Sequence, residues 1–257
     1  MEEVGMIYFV GAGCGAPDLI TVRGAELIKR ADVIIYAGSL VNPVLLQSVQ
    51  DNCEIYNSAK MTLDEVIEVM RDAQRNDKTA VRLHTGDPSI YGAVREQMDR
   101  LDALQIPYEI CPGVSSFCGA AAALRAEYTL PGVSQSVIIT RMAGRTPVRE
   151  GESIRTLAAH GATMVIFLSA GMTEQLQTEL IAGGYAPDTP AAIVYKASWP
   201  DERVLRCTVG TLHQTASENG IVNFALITVG GFLGREYELS KLYDPAFTTA
   251  FREGSEK

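Results

Sequence analysis

Histidine is scarce in this chain: three residues in 257, His84, His160 and His213, standing far apart. A histidine metal centre has little to be built from, and no metal site is expected. Cysteine is sparse and follows no pairing pattern. The five, Cys14, Cys53, Cys111, Cys118 and Cys207, are odd in number and contain no C-x-x-C. That argues against a disulfide framework and a thiolate zinc cluster, and fits free thiols in a reducing compartment. Basic residues are outnumbered, 22 against 31 acids, leaving a formal net charge of −9. Such a surface is a poor general binder of nucleic acid or anionic membrane, so an anionic ligand must be met by arginines gathered locally. No apolar run approaches the roughly 20 residues that span a bilayer. Glu2 and Glu3 stand where a secretory leader would be basic. A cytoplasmic protein is the expectation.

What is present is a core. Hydrophobic residues make up 47% and charged residues 21%, the balance of a globular chain, and 257 residues suffice for one large domain or two small ones. Short β-branched runs alternate with amphipathic stretches. Strands are predicted at 6–11, 33–36, 80–83 and 108–110, and helices at 21–30, 62–75 and 89–104. In 62–75, Leu63, Val66, Ile67 and Met70 share a helical face, and Thr62 with Glu65 makes a capping box. A second series has strands at 137–140, 163–168, 192–195, 204–207 and 224–229, helices at 153–159 and 172–183, and a turn at Asn219-Gly220. The expected fold class is α/β, with two α/β domains each built on a mixed, largely parallel sheet. The division is 1–112, a connecting segment 113–135 with a small-residue helix near 119–123, and 136–257. The polar tail after Asp244 is expected to fray.

The stretch "VGAGCGAPDLIT" follows the first strand. Gly11, Gly13 and Ala16 fit the G-x-G-x-x-G/A dinucleotide fingerprint, but the context does not. Pro17 disfavours helical geometry at Ala16, so the next helix starts only near Thr21. The second strand ends in Tyr36-Ala37-Gly38-Ser39, with no acid for an adenosine ribose. A tight turn at a strand end accounts for the glycines without a nicotinamide or flavin. Other sharp turns fall at comparable places: His84-Thr85-Gly86-Asp87-Pro88 after strand 80–83, Cys111-Pro112-Gly113 after 108–110, and Thr140 to Arg145 after 137–140. Ligands of open α/β sheets sit beyond the C-terminal ends of strands.

Taken together, "VGAGCGAPDLITVRGAELIKRADVIIY", "HTGDPSIYG", "PGVSSF", "ITRMAGRTPV" and "VYKASWPDE" resemble the tetrapyrrole (corrin/porphyrin) methyltransferase family, in order and over nearly the whole chain. The resemblance implies an enzyme that uses S-adenosyl-L-methionine, held in the cleft between two α/β domains. It also implies a tetrapyrrole (precorrin) substrate, and commonly a homodimer. By motif, the cofactor residues would be Thr85, Gly86, Asp87, Ile90, Ser115, Ser116, Ser169, Ala197, Leu226 and Thr228. The family's first loop usually carries proline and aspartate where this chain has Cys14 and Ala16; Asp18 is kept. Cys14 fits the place as a small apolar residue.

Methyl transfer from a sulfonium is an in-line displacement, and the enzyme's main task is alignment in a dry site. The macrocycle's carboxylates call for guanidinium or ammonium partners. Arg141 and Arg145 are the foremost candidates, with Arg82, Arg95 and Lys196 behind them. No strict catalytic base is expected. Asp87 and His84 are the only candidates for a chemical role, each with a structural alternative: a turn cap for Asp87 and a buried hydrogen bond for His84.

Overall fold

The computed structural model describes residues 5–255 of the chain. The acidic start at Glu2-Glu3 and the last two tail residues lie outside them. Two compact units are formed, one of Met1–Ala123 with Lys196–Arg203, the other of Leu124–Tyr195 with Val204–Lys257. The sequence gives no sign that Lys196–Arg203 belongs with the first unit.

The first unit holds strands β1 (Ile7–Gly11), β2 (Val33–Tyr36), β3 (Glu54–Asn57), β4 (Ala80–His84) and β5 (Tyr108–Cys111), in the order β3-β2-β4-β1-β5. Every pairing is parallel. Parallel sheets are covered on both faces, so their central strands read as unbroken apolar runs; all five residues of β1 are buried. Ile7 and Phe9 point to one face, where helices α2 (Leu63–Arg75) and α3 (Arg95–Ala103) contribute Val66, Met70 and Leu101. Tyr8 and Val10 point to the other, with Leu27 and Ile28 of helix α1 (Val22–Arg30). Each fully buried Ile or Phe contributes about 1.5–3 kcal/mol. Helix α1 starts after Thr21, which accepts the Gly24 amide, and α2 carries the capping box of Thr62 and Glu65.

Two departures have physical causes. The short edge strand β3 has no apolar run to betray it, since Glu54 and Ile55 are exposed. The stretch predicted as helix from residue 89 becomes helical only at Arg95. Tyr91 and Ala93 hold φ of 53° and 49°, and Gly92 lies so close to Pro88 that a Cβ would meet its carbonyl oxygen at 2.2 Å. The motif "DPSIYGA" is a tight irregular loop. Helix α4 (Ser116–Leu124) follows β5.

The second unit holds β6 (Val137–Arg141), β7 (Thr163–Phe167), β8 (Pro190–Tyr195), β9 (Arg203–Thr208) and β10 (Ala225–Val229), in the order β6-β7-β10-β8-β9. This sheet is mixed. β6 pairs parallel to β7, while β10 runs antiparallel to both β7 and β8. Helices α5 (Ile154–Ala158), α6 (Thr173–Ala182) and α7 (Leu212–Glu218) cover it through Leu176, Leu180 and Leu212. Residues 240–255 are folded on themselves, not frayed. The Arg252 guanidinium donates to the carbonyls of Leu242, Asp244 and Phe247.

Candidate functional site

Three loops meet at the C-terminal ends of β1, β4 and β5. A Cβ on Gly11 would lie 2.5 Å from the Gly86 carbonyl oxygen and 2.6 Å from Gly113 Cα. One on Gly113 would lie 2.2 Å from that same oxygen. Backbone thus packs on backbone, and only glycine permits the approach. Gly13 and Gly86 exchange amide-to-carbonyl hydrogen bonds, 3.3 and 2.9 Å. The glycines of the first loop hold loops together; they do not open a Rossmann helix. The loop runs through a 3-10 turn at Pro17–Leu19 before α1 begins.

Asp87 ties two of these loops. One carboxylate oxygen accepts the Gly113 amide at 2.8 Å; the other accepts the Ser89 amide at 2.8 Å and the Ser89 hydroxyl. Partial burial pushes its pKa up, but the hydrogen bonds from Ser89 and Gly113 outweigh it and hold the carboxyl below its ordinary value. Asp87 is therefore an ionised staple, accepting three hydrogen bonds across its two oxygens. His84, last in β4, is buried and stacked near Phe9. Burial, helped by the Arg82 charge, drops its pKa to about 3, so the ring is neutral. Its Nε2 is buried with no partner.

Thr85 Oγ1 is likewise buried and unpartnered, an uncommon state for a hydroxyl. It precedes Gly86, whose φ of 64° turns the loop so that a Cβ there would touch Ser115 Cα at 3.4 Å and the Ser116 amide at 3.5 Å. The Ile90 amide closes the turn on the Asp87 carbonyl at 3.2 Å. Five residues predicted from widely separated motifs, Thr85, Gly86, Asp87, Ser115 and Ser116, are thus neighbours.

Ala197, in the loop Lys196–Arg203, lies against Gly15 of the first loop and Gly119 of α4. Lys196 and Ser198 hold φ of 47° and 66°, a conformation that costs free energy unless its surroundings impose it. Here they do. Lys196 Nζ meets Asp201 at 2.7 Å, the Ser198 amide donates to Glu202 at 2.6 Å, and Ser198 Oγ accepts the Ala16 amide at 2.9 Å. The same hydroxyl approaches Cys14 Sγ at 3.4 Å, and Trp199 lies where a Cβ on Gly15 would be. From another direction buried Asn42 donates to the Gly15 carbonyl at 2.9 Å. Cys14 itself is buried, its Sγ 2.9 Å from where a Cβ on Gly119 would be. Asn42 and Ser198 grip the first loop, and sequence reasoning overlooked both. The short polar motif "KASWPDE" was the signal for Ser198; Asn42 gave none.

In the second unit Ser169, fully buried after β7, accepts the Met142 amide at 2.9 Å and donates to the Phe167 carbonyl at 2.7 Å. Leu168 beside it holds φ of 52° with its side chain largely exposed. Leu226 and Thr228 lie on β10, and Thr228 Oγ1 is buried without a partner.

The cations separate cleanly. Arg82 is buried, donating to Gln97 at 3.0 Å and the Ile35 carbonyl at 3.1 Å, and desolvation lowers its pKa to about 10. It presents no guanidinium to a ligand. Arg95 pairs with Asp99 and Lys196 with Asp201. Arg141 braces its own loop through the carbonyls of Met142, Thr146 and Pro147. Arg145, at the tip of that loop, is exposed.

The fold and these loops have counterparts. The chain matches the Tetrapyrrole (Corrin/Porphyrin) Methylases over residues 6–213, and it belongs to that family. Within it, the chain is 51% identical to a cobalt-precorrin-4 C(11)-methyltransferase of Methanocaldococcus jannaschii, over the whole of both chains. It is 43% identical to a precorrin-4 C(11)-methyltransferase of Mycobacterium tuberculosis, covering 93% of this chain and 96% of that one. The X-ray structure of a cobalamin biosynthetic enzyme, cobalt precorrin-4 methyltransferase, superposes with a TM-score of 0.88 at 45% identity, covering 90% of this chain and 97% of that one.

Proposed function

We propose that the chain is an S-adenosyl-L-methionine-dependent methyltransferase that methylates C-11 of cobalt-precorrin-4 in cobalamin biosynthesis. The observation that carries this reading is end-to-end similarity to a relative of that name at 51% identity. The lower identity to a relative named precorrin-4 C(11)-methyltransferase favours the cobalt-bearing macrocycle.

The first unit suits the cofactor on its own terms. Thr85 offers an unused buried hydroxyl beside a left-handed glycine turn. Such a cradle lets a ligand approach backbone closely and rewards a polar atom placed there. Thr85, Gly86, Asp87, Ile90, Ser115, Ser116 and Ala197 would hold it in this unit. The bound cofactor supplies an electrophilic methyl on a sulfonium. Asp87, Asn42 and Ser198 keep the loops rigid, so alignment is set before the acceptor arrives. His84 stays neutral, and three hydrogen bonds hold the Asp87 carboxylate ionised and weakly basic, so neither is read as the base. Arg145 is free to pair with a macrocycle carboxylate, and Arg141 holds its loop in shape.

The protein is read as a cytoplasmic homodimer. Its five cysteines are free, and no helix among the described residues is long and apolar enough to cross a membrane.

The test is transfer of a labelled methyl from S-adenosyl-L-methionine to each tetrapyrrole intermediate in turn. Label in cobalt-precorrin-4 is expected. Label in uroporphyrinogen-III or another precorrin, with none in cobalt-precorrin-4, replaces the acceptor. Cofactor binding with no transfer to any macrocycle overturns the enzyme reading.

A further inference from the structure

Of the aromatic side chains in the first unit, Tyr91 alone is exposed among the described residues, at 45%. Tyr8 and Phe9 lie in the core, and Tyr36, Tyr56, Tyr108, Phe117 and Trp199 are partly buried. Tyr91 also stands on a left-handed backbone, φ 53°. That conformation costs a bulky side chain free energy, and Asn or Gly adopts it more readily. The loop leaves it no other course. Before it, the Ile90 amide closes on the Asp87 carbonyl at 3.2 Å, and the Asp87 carboxylate holds the Ser89 and Gly113 amides. After it, Gly92 packs on Pro88, Ala93 is left-handed again at 49°, and Val94 joins the core cluster of Phe9 and Leu101. A backbone fixed on both sides thus carries a strained aromatic outward. Neither burial nor backbone rewards the ring at this position, and strain of this kind gathers where a ligand is gripped.

We propose that Tyr91 is a specificity-determining residue whose ring is a platform for the flat face of the macrocycle. The inference rests on the tetrapyrrole reading and supplies what that reading lacks, a contact to the macrocycle itself besides its carboxylates. Two observations choose the macrocycle over the cofactor. Tyr91 directly follows Ile90, on the loop that carries Thr85, Gly86 and Asp87, so it borders the cofactor cradle without being part of its buried floor. That floor offers backbone and the buried Thr85 hydroxyl, which suit a compact polar ligand, whereas a large exposed ring suits a broad flat one. A tyrosine face takes such a partner by offset stacking and asks no charge of it. It therefore adds to a guanidinium at the macrocycle's rim without competing with it.

The test uses the full-length protein and two variants. Tyr91→Asn removes the ring and suits the left-handed backbone; Tyr91→Phe keeps the ring. Each is followed by thermal unfolding, by isothermal titration with S-adenosyl-homocysteine, and by methyl transfer to cobalt-precorrin-4 at saturating S-adenosyl-L-methionine. Tyr91→Asn is expected to unfold at or above the wild-type temperature and to keep its affinity for S-adenosyl-homocysteine. Its KM for the macrocycle is expected to rise about fivefold to tenfold, the range of a lost aromatic contact. Tyr91→Phe is expected to stay within about twofold of wild type in that KM, because the stacking face is retained. A folded Tyr91→Asn with the wild-type KM overturns the proposal. So does one whose cofactor affinity falls as steeply as its macrocycle affinity, since the ring then serves the cofactor, and so does one that unfolds several degrees early, since the ring is then packing. A wild type that labels no macrocycle overturns the tetrapyrrole reading itself, and that outcome is seen before any variant is compared.

Discussion

His84 ends β4 and Asp87 lies in the loop beyond it, and both lower the fold's stability in acid, one as a buried base and the other as a hydrogen-bonded carboxylate. Asp87 is ionised and accepts three hydrogen bonds. Replacing it by Asn leaves one oxygen as acceptor and sets an amide nitrogen against the Gly113 or Ser89 amide. A lost charge-assisted bond and a stranded donor cost about 1–3 kcal/mol. Thermal unfolding of Asp87→Asn is therefore expected several degrees below wild type, and its KM for S-adenosyl-L-methionine is expected to rise more than kcat falls. Because the folded pKa of Asp87 is depressed, its contribution is complete above the ordinary carboxylate value and lost as pH falls through the folded one. His84 also has a depressed pKa, but as a base. Its folded value is about 3 against 6.5 in the open chain. Between those values the unfolded state binds one more proton than the folded state, so stability falls by up to about 1.4 kcal/mol per pH unit on acidification. Above pH 6.5 this effect is absent. His84→Phe keeps an aromatic ring beside Phe9 and removes the titration. Denaturant unfolding of this variant from pH 7 to pH 4 is expected to show a shallower acid slope. Activity at pH 7.5 is expected within about threefold of wild type, where loss of a general base would cost a hundredfold or more.

At the scale of elements, a strand end is only as well placed as what holds the loop beyond it. The Lys196–Arg203 loop holds the first glycine loop through one hydroxyl, Ser198 Oγ on the Ala16 amide. Ser198→Ala strands that amide, while Ser198→Thr retains an oxygen. The alanine variant is expected to raise KM for the cofactor about tenfold, the worth of roughly 1.4 kcal/mol, with kcat little changed; the threonine variant is expected to recover part of the loss. A purely structural role would lower the unfolding temperature and leave KM alone. Glycines divide in the same way. Gly113→Ala places a methyl 2.2 Å from the Gly86 oxygen, whereas Gly144→Ala meets nothing within 4 Å. Isothermal titration with S-adenosyl-homocysteine is expected to detect no binding to the first and ordinary binding to the second. Much of this level was legible. Buried parallel strands such as β1 show as apolar runs, and α2 carries its capping box in plain sight. What stayed hidden was of two kinds. Edge strand β3 shows no apolar run, since its Glu54 and Ile55 are exposed. Asn42 and Ser198 act through contacts set by the fold, at separations of 27 and 182 residues, which no local pattern encodes.

At the scale of the whole molecule, an acidic protein must receive an acidic macrocycle. The motifs named residues that the fold brings together, Thr85, Gly86 and Asp87 beside Ser115 and Ser116, because glycine turns and Ser-Ser pairs are local. Which cations find partners is not local in that way. Arg82, Arg95, Arg141 and Lys196 all answer to partners within their own unit, and only folding decides which guanidinium is left over. Arg145 is left over, so two electrostatic effects of different range compete. The net charge of −9 repels a polycarboxylate from afar, and that repulsion fades beyond a Debye length of about 8 Å at physiological salt. If Arg145 meets a macrocycle carboxylate, as proposed, it attracts at contact, where screening is weaker. In wild type the two partly cancel, so KM for the macrocycle is expected to change by less than about threefold between 50 and 300 mM salt. Arg145→Glu removes the attraction and adds to the repulsion. Its KM is expected to be highest at low salt and to fall steadily as salt is added, with KM for S-adenosyl-L-methionine unaffected. If Arg145→Glu keeps the wild-type KM and salt profile, the carboxylates are met elsewhere. Arg141 would then be the next guanidinium to exchange, since it frames the same loop.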